Sequence, residues 1–208
     1  MATAGPPSGR LFVLSGPSGA GKTELMRVLK TREPQLHFCV TATTRKPRPG
    51  ERDGADYFFY SEEEFLRLLD QRKLLEYARV PPDTGYCYGT PRDQVEPIIA
   101  SGRDAFTQAD VQGARSLRTL VPSAVLIFLK PPDVETLRRR LIGRAAEPAP
   151  EMRQRLENAQ AELGRESEFD YSVVNADGAL DEAVDQVRAI IREAHPRASD
   201  AAPKRARG

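Results

Sequence analysis

The stretch LFVLSGPSGAGKT, residues 11–23, decides the fold of this chain. It opens with four apolar residues typical of a buried strand, continues as a glycine-rich loop, and ends with Lys22 and Thr23 at the start of an amphipathic segment. This order of strand, G-x-x-x-x-G-K-[ST] loop and helix predicts a phosphate-binding loop. The alternative is a plain Gly/Ser-rich turn, which the flanking strand and helix argue against.

Each residue type in the loop suits a nucleotide phosphate. Glycine at positions 16, 19 and 21 allows backbone angles at which successive N–H groups face inward, and the positive end of the following helix adds to their field. Lys22 supplies a positive charge for the β- and γ-phosphates, and the Thr23 hydroxyl is placed to ligate Mg²⁺. The residues expected to bind the nucleotide are Gly16, Pro17, Ser18, Gly19, Ala20, Gly21, Lys22 and Thr23.

Composition points to an ordinary globular enzyme or binding protein. The 208 residues favour one compact α/β domain, and a net charge of +1 gives no reason to expect nucleic acid as a partner. No apolar run is long enough to cross a bilayer, and the N-terminus lacks the charged and apolar regions of a signal peptide. We therefore expect a cytoplasmic protein with free thiols at Cys39 and Cys87 and without a membrane partner.

Hydrophobic periodicity and caps predict the remaining elements. Ser61 followed by Glu64 is a capping box, so we expect a helix to begin there and to run through SEEEFLRLLDQRKLLEYA, residues 61–78. Residues 1–10, rich in small residues, proline and glycine, are expected to be a disordered lead-in, and the basic residues 196–208 a disordered tail. Further strands are expected at 36–40, 124–129 and 171–175, and further helices at 24–32 and 180–191.

A second phosphate site is predicted in TATTRKPRPGERDGADY, residues 41–57. Arg45 and Arg48 stand three residues apart among prolines and glycines, which forbid a regular helix and stiffen the loop. A rigid arginine pair with hydroxyls beside it suits a phosphate bound bidentately. The alternative for an Arg/Pro loop is a solvated surface.

Together with the phosphate loop, this stretch resembles the guanylate kinase family, the enzymes that transfer the γ-phosphoryl group of ATP to GMP. The resemblance runs from about residue 11 to 191 through GPSGAGKT, TATTRKPRPGERDGADYFF, LLEYA, YGTP, DVQGA, PPDVETLRRRL, RLENAQAEL and VVN. It implies an α/β core with a parallel sheet and helices on both faces (residues 11–40 and 98–195), a GMP-binding insert (about 41–97) and a mobile lid (about 143–155). ATP and GMP are the implied partners, Mg²⁺ is the implied cofactor, and we expect a monomer or a homodimer.

The resemblance also implies which residues contact GMP. The positions that hold the GMP phosphate match Arg45, Arg48, Tyr57 and Tyr88. Glu76 in LLEYA matches the carboxylate that accepts hydrogen bonds from guanine N1 and N2, and its chemistry fits, because an ionised carboxylate only accepts and guanine offers two adjacent donors. Thr41 and Thr90 match hydroxyls near guanine that donate to O6. The alternative for Glu76 is a surface charge on an amphipathic segment.

The segment AFTQAD, residues 105–110, departs from the family pattern. Asp110 is retained at a Walker-B-like position, where it can hold a water of Mg²⁺. Gln108, also among the expected GMP contacts, stands where the family has a carboxylate near guanine and Lys22, so one negative charge is missing from a site crowded with arginines and phosphates. Tighter phosphate binding, looser guanine selection, slower turnover and a modest kinetic cost alone are all compatible with this change.

Arginines at the family's lid and catalytic positions follow in PPDVETLRRRLIGRAAEPAPEMRQRL. Charge spreads over the transferred phosphoryl group, so arginines on a closing lid stabilise it and exclude water. Ala145 and Ala146 replace the Gly and Thr of the family's R-G-T, which alters the flexibility of the lid. Asn175 matches the position beside the adenine ring of ATP. The implied catalytic residues are Lys22, Arg45, Arg140, Arg144 and Arg155.

Two other functions are compatible with parts of this pattern. Ribose 1,5-bisphosphate phosphokinases resemble the family and share the nucleotide loop, but Arg48, Tyr57 and Glu76 together argue against them. Some scaffold proteins carry a non-catalytic guanylate-kinase-like binding module, which generally has a degraded phosphate loop, whereas GPSGAGKT is complete here.

The connection that contains Pro81 and Pro82 is about two residues longer than is usual in the family, which predicts a stiffer insert.

Overall fold

A computed structural model of the chain describes residues 9–79, 85–142 and 149–195, and for residues 149–152 it describes the backbone alone. Its core is a five-stranded parallel sheet in the order β2-β7-β1-β8-β9. The strands are β1 (Leu11–Ser15), β2 (His37–Phe38), β7 (Ala105–Gln108), β8 (Val125–Lys130) and β9 (Tyr171–Val174). All five residues of β1 are buried, as expected for a strand covered on both faces.

Helices cover both faces of this sheet. Phe12 and Leu14 face a cluster formed with α1 (Lys22–Arg32) and α7 (Leu180–Glu193), whereas Leu11 and Val13 face α4 (Val111–Leu120). The remaining described helices are α2 (Glu62–Asp70), α3 (Glu96–Ala100), α5 (Val134–Ile142) and α6 (Ala149–Leu163). The expected fold class, a parallel sheet between two layers of helices, is therefore confirmed.

A second, four-stranded sheet stands beside the core in the order β4-β3-β6-β5. Its strands are β3 (Ala42–Thr43), β4 (Phe58–Phe59), β5 (Leu74–Arg79) and β6 (Cys87–Pro91), and β6 runs antiparallel to both neighbours. Phe65 of α2 is 1% exposed and packs with Ala42, Leu74 and Cys87 in a small core of its own. β5 also contacts α4, which joins the second sheet to the first.

The helix expected over residues 61–78 is wrong in its second half. The capping box of Ser61 and Glu64 is present, but the helix ends at Asp70 and residues 74–79 form β5. Arg72 adopts a left-handed conformation with φ of 53°, and the N–H groups of Arg72 and Lys73 donate to Leu69 and Leu68 in a helix-terminating turn. Glycine usually occupies such a position, and because Arg72 stands there instead, the sequence did not indicate where the helix ends.

The other expected elements are present, with ends that differ by up to two residues. The expected strand 36–40 is reduced to His37–Phe38, and both cysteines are free and buried. At the end of the expected lead-in, the N–H of Gly9 donates to Ile99 and that of Arg10 to Asp104, both at 2.9 Å. The rest of the lead-in and the basic tail lie outside the described residues, and so do Pro81 and Pro82.

The described helices include none with the length and apolar character that a membrane span needs.

We expect Leu126→Ala to lower the free energy of unfolding by about 2 to 5 kcal/mol, because the side chain, near the start of β8, is 1% exposed and its loss leaves a cavity. Leu120→Ala is the matched control: this leucine is 49% exposed at the end of α4 and should change stability by less than about 0.5 kcal/mol. Urea denaturation measures both. Equal losses would contradict the assignment of the core.

Candidate functional site

A cavity of about 260 Å³ opens at the carboxyl ends of β1 and β7 and faces the second sheet. This is the edge at which parallel α/β proteins bind their ligands. From the core it is lined by Gly16, Pro17, Ser18, Gly19, Gly21, Lys22, Thr23, Gln108, Ala109 and Asp110. From the second sheet and its loops it is lined by Thr41, Arg48, Tyr57, Glu76, Ala78, Tyr88 and Gly89, and from α6 by Glu162.

The phosphate loop is tightly packed against the core. Gly16 has φ of 137°, and a Cβ there would lie 2.0 Å from the carbonyl oxygen of Leu129. Asn175, at the end of β9, donates from Nδ2 to the carbonyl of Ala20 at 2.8 Å and is itself buried. Asn175, expected beside adenine, thus braces the loop, and Ala20 is buried in the core and is not among the described residues that line the cavity.

The charged groups of the loop are turned toward the protein. Lys22 Nζ donates to the carbonyls of Gly16 and Pro17, the latter at 3.0 Å. Glu162 of α6 accepts a hydrogen bond from the N–H of Ser18 at 3.3 Å. Burial raises the pKa of Glu162, an effect that the positive charge of Lys22 opposes. The sequence reading missed Glu162, although the RLENAQAEL motif that contains it was recognised.

Arg45 is fixed by a partner that the sequence reading also missed. Its guanidinium forms two hydrogen bonds with the Glu51 carboxylate, both at 2.9 Å, and one with Tyr88 Oη at 3.3 Å. Burial opposes the charge of Arg45, but the hydrogen bonds to Glu51 and Tyr88 outweigh it and keep the pKa of Arg45 above its usual value. Arg45 therefore lies behind the cavity wall, whereas the exposed side chain of Arg48 lines the cavity. The carboxylate within RKPRPGE was the available signal.

Two tyrosines complete this basic end of the cavity. The Arg45 guanidinium carbon lies 5.3 Å from the centre of the Tyr57 ring, and the Tyr57 and Tyr88 rings meet nearly edge to face at 6.1 Å. Gln108 donates from Nε2 to Tyr57 Oη at 3.0 Å. Arg45 thus lies against Tyr57, and Tyr57 and Arg48 both line the cavity.

Glu76 forms the opposite, acidic end. It lies on β5, is 9% exposed, and accepts a hydrogen bond from Thr90 Oγ1 at 2.7 Å. Burial, aided by the nearby charge of Asp110 and opposed by hydrogen bonds from Thr90, raises the pKa of Glu76 to about 7. Its alternative interpretation as a surface charge is therefore wrong. Thr90 is fully buried and directs its hydroxyl hydrogen to Glu76, while Thr41 lines the cavity.

Asp110 and Glu76 approach the same glycine. A Cβ on Gly113 would lie 2.9 Å from Glu76 Oε2 and 3.3 Å from Asp110 Oδ1, so a larger residue would force the Glu76 carboxylate to shift. Asp110 caps α4 by accepting from the N–H of Gly113 at 2.6 Å. Asp110 and Thr23 both line the cavity and offer the oxygen ligands that Mg²⁺ prefers, so the residues present fit this ion.

Of the three arginines expected at the lid and catalytic positions, the structure describes Arg140 and Arg155. Arg140 of α5 donates to the Asn175 carbonyl at 2.8 Å and pairs with Asp177, which also pairs with Arg139. Arg155 is half-buried on α6, and Arg144 lies outside the described residues. Neither Arg140 nor Arg155 is among the described residues that line the cavity.

A phosphate loop at the carboxyl edge of a parallel sheet places this protein in the class of P-loop nucleotide-binding proteins. The family model "Guanylate kinase" matches residues 8–194. The chain is 45% identical to the guanylate kinase of Thermotoga maritima, covering 88% of this chain and 86% of that one, and 42% identical to that of a Synechococcus strain, covering 92% and 87%.

A solved structure agrees with the sequence comparison. The crystal structure of guanylate kinase from Anaplasma phagocytophilum matches with a TM-score of 0.74 at 31% identity and covers 93% of this chain and 89% of that chain. The chain belongs to the guanylate kinase family, and the resemblance found in its motifs is confirmed.

The raised pKa of Glu76 predicts a pH dependence of stability. Between the ordinary value of 4.5 and about 7, the folded state holds this proton more tightly than the unfolded state, so Glu76 stabilises the fold least above pH 7. Glu76→Gln removes the titration. We expect the unfolding free energy of the variant, relative to the parent protein, to rise by about 1 to 3 kcal/mol from pH 4.5 to pH 8.

Glu63→Gln is the control for this measurement, since the Glu63 side chain is 84% exposed. Its difference from the parent protein should stay nearly constant with pH. Denaturant unfolding of the three proteins at several pH values provides the data, and a constant offset for Glu76→Gln would contradict the buried, proton-binding state of this carboxylate.

Proposed function

We propose that the protein transfers the γ-phosphoryl group of ATP to GMP, giving GDP and ADP, with ATP in the phosphate loop and GMP against the second sheet. One observation carries this proposal: a single cavity is lined by the phosphate loop, by the buried carboxylate of Glu76 and by Arg48. Such an arrangement suits a donor phosphate and a base with adjacent hydrogen-bond donors.

Glu76 is the residue that selects guanine. Its ionised carboxylate accepts from guanine N1 and N2, and Thr90 holds one carboxylate oxygen through the hydrogen bond from its hydroxyl. Because that hydroxyl has one hydrogen, which goes to Glu76, we assign Thr90 to orienting the carboxylate. Thr41, whose side chain lines the cavity, is the donor to guanine O6.

Arg48, Tyr57 and Tyr88 bind the GMP phosphate, and Arg45 supports them from behind. The bidentate pair of Arg45 with Glu51 keeps this guanidinium in place when the cavity holds no phosphate. Its position between the Tyr57 ring and Glu51 gives the basic end a fixed shape before substrate arrives. A rigid site of this kind binds phosphate with little loss of side-chain entropy.

Phosphoryl transfer proceeds by in-line displacement without a covalent enzyme intermediate. Lys22 moves from the carbonyls of its own loop to the β- and γ-phosphates, while Arg140, Arg144 and Arg155 stabilise the charge that spreads over the transferred group. No dedicated base is required, because positioning and electrostatics dominate this chemistry. Thr23 and, through a water molecule, Asp110 would hold Mg²⁺, and the ion would neutralise phosphate charge.

The organisation of the chain follows from these roles. We assign residues 11–40 and 98–195 to the nucleotide-binding core, about 41–97 to the GMP-binding insert and about 143–155 to the lid, with Asn175 supporting the ATP site. We further propose that the protein works in the cytoplasm as a monomer or a homodimer, with ATP and GMP as its partners. Two buried free cysteines suit a reducing compartment.

The decisive experiment is an assay of ADP release from ATP·Mg²⁺ with GMP, dGMP, IMP, AMP or ribose 1,5-bisphosphate as acceptor. We expect turnover with guanine nucleotides and little with AMP or ribose 1,5-bisphosphate. Turnover with ribose 1,5-bisphosphate alone would support a ribose-bisphosphate kinase instead. Binding of GMP and ATP without turnover of any acceptor would support a non-catalytic binding module.

The ratio of the kcat/KM values for GMP and IMP tests the role of Glu76 more sharply. IMP lacks the N2 amino group, so the parent protein should prefer GMP by roughly 10- to 100-fold, the effect of one hydrogen bond to a charged group. In Glu76→Ala both acceptors should lose activity and the ratio should fall toward one. Glu63→Ala, on the exposed face of α2, should leave the ratio unchanged, and an unaltered ratio in Glu76→Ala would exclude this carboxylate from guanine recognition.

A further inference from the structure

We propose that Glu162 is an internal competitor of the nucleotide: its carboxylate occupies a backbone donor of the phosphate loop and has to leave before a nucleotide phosphate binds there. This inference rests on the proposed function, because it takes the loop as the site that binds ATP. It adds a residue that weakens this binding and so sets the affinity of the site for ATP and ADP.

The contact places an acidic group on a site that is built for anions. The N–H of Ser18, the third residue of the phosphate loop, donates to Glu162 Oε2 at 3.3 Å. Both residues line the cavity, together with most of the loop. Backbone N–H groups of such a loop, with the positive end of the following helix, form the cradle for nucleotide phosphates. A carboxylate that accepts from one of these groups takes the place of a phosphate oxygen.

The charges around Glu162 support this interpretation. Burial raises the pKa of Glu162, and the positive charge of Lys22 and the N–H of Ser18 oppose that effect by favouring the ionised form. ATP brings several negative charges into the cavity that Glu162 lines, and they repel an ionised carboxylate at short range. The carboxylate and the phosphate therefore exclude each other, both by position and by charge.

Hydrophobic packing holds Glu162 beside the loop. Leu137 and Leu141 of α5 pack with Ala159 of α6 in a small buried cluster. The same two leucines lie against Gly19, where a Cβ would meet their side chains at 3.1 and 3.2 Å. Glu162 follows Ala159 by three residues and so lies on the neighbouring part of the same helix face. The packing of α5 against both the loop and α6 thus keeps the carboxylate within reach of the loop.

This competition lowers the apparent affinity for nucleotides. ATP binds to the part of the protein population in which Glu162 has left the loop, and a ligand's apparent affinity falls with the fraction of protein that is competent to bind it. The same contact re-forms when ADP leaves, because the carboxylate then regains its donor. Glu162 therefore opposes the retention of product as well as the binding of ATP.

Calorimetric titration at pH 8 with ATP·Mg²⁺ and with ADP, in the absence of an acceptor, tests the inference. We expect Glu162→Gln to bind both nucleotides about 3- to 10-fold more tightly, since it removes a competing hydrogen bond of a charged group. Glu157→Gln is the matched control: it removes one negative charge from an exposed position on the same helix, and should change the dissociation constants by less than about 1.5-fold.

Glu162→Asp is the decisive variant, because it separates the contact from the charge. The side chain keeps its charge but is shorter by one carbon–carbon bond, about 1.5 Å, so it no longer reaches the N–H of Ser18. Nucleotide binding should therefore tighten by about 2- to 5-fold. The amide proton resonance of Ser18 in the ATP-free protein should move upfield in both Glu162 variants, because it loses a charged acceptor. Thermal unfolding shows that each variant is folded.

Several results would overturn the inference. Unchanged dissociation constants in Glu162→Asp would reduce Glu162 to a charge that acts through space, and weaker nucleotide binding in either Glu162 variant, or an unmoved Ser18 resonance, would also contradict the competition. Failure of the parent protein to bind ATP or ADP would overturn it together with the nucleotide-binding role of the loop. Tighter binding as expected, without turnover of GMP, would count against the proposed function alone.

Discussion

The parallel pairing of β1 between β7 and β8 is the constraint on which the site depends. β1 is buried on both faces between its two neighbours, and its register with β7 sets Leu14 beside Gln108. The carboxyl ends of β1 and β7 then deliver the phosphate loop and the segment from Gln108 to Asp110 to the same edge. The chemistry of the cavity is a consequence of how its apolar strands pack.

Charge in the cavity is divided between two ends. Glu76 and Asp110 meet beside Gly113, whereas Arg48 and the Arg45–Glu51 pair stand near Tyr57 and Tyr88. Gln108 is neutral and lies at the basic end, where its amide contacts Tyr57 without adding charge. A purine nucleoside monophosphate has the matching polarity, with hydrogen-bond donors on its base and negative charge on its phosphate.

Local motifs were predictable from the sequence, whereas contacts between distant residues were not. The phosphate loop and the capping box at Ser61 are short patterns whose geometry is set by their own residues. The end of α2 was missed because Arg72, not glycine, adopts the left-handed turn, and so Glu76 was placed on a helix when it lies on β5. Glu162 reaches Ser18 from 144 residues away, a contact that the topology brings about and no local pattern predicts.

The acidic end is unfavourable in the absence of ligand, and this property supports the role in guanine binding that we propose for Glu76. Burial and the neighbouring Asp110 both disfavour the ionised form of Glu76, and only Thr90 offers it a side-chain hydrogen bond among the described residues. A base that supplies two further donors would stabilise the carboxylate where the protein alone does so incompletely. A base without them would leave a buried acceptor unsatisfied, and the cost of that state is the basis of discrimination. Selectivity in such a site therefore comes from the burial of Glu76. Folding removes water from its carboxylate, and a base with two adjacent donors replaces the lost hydrogen bonds, whereas a base without them does not.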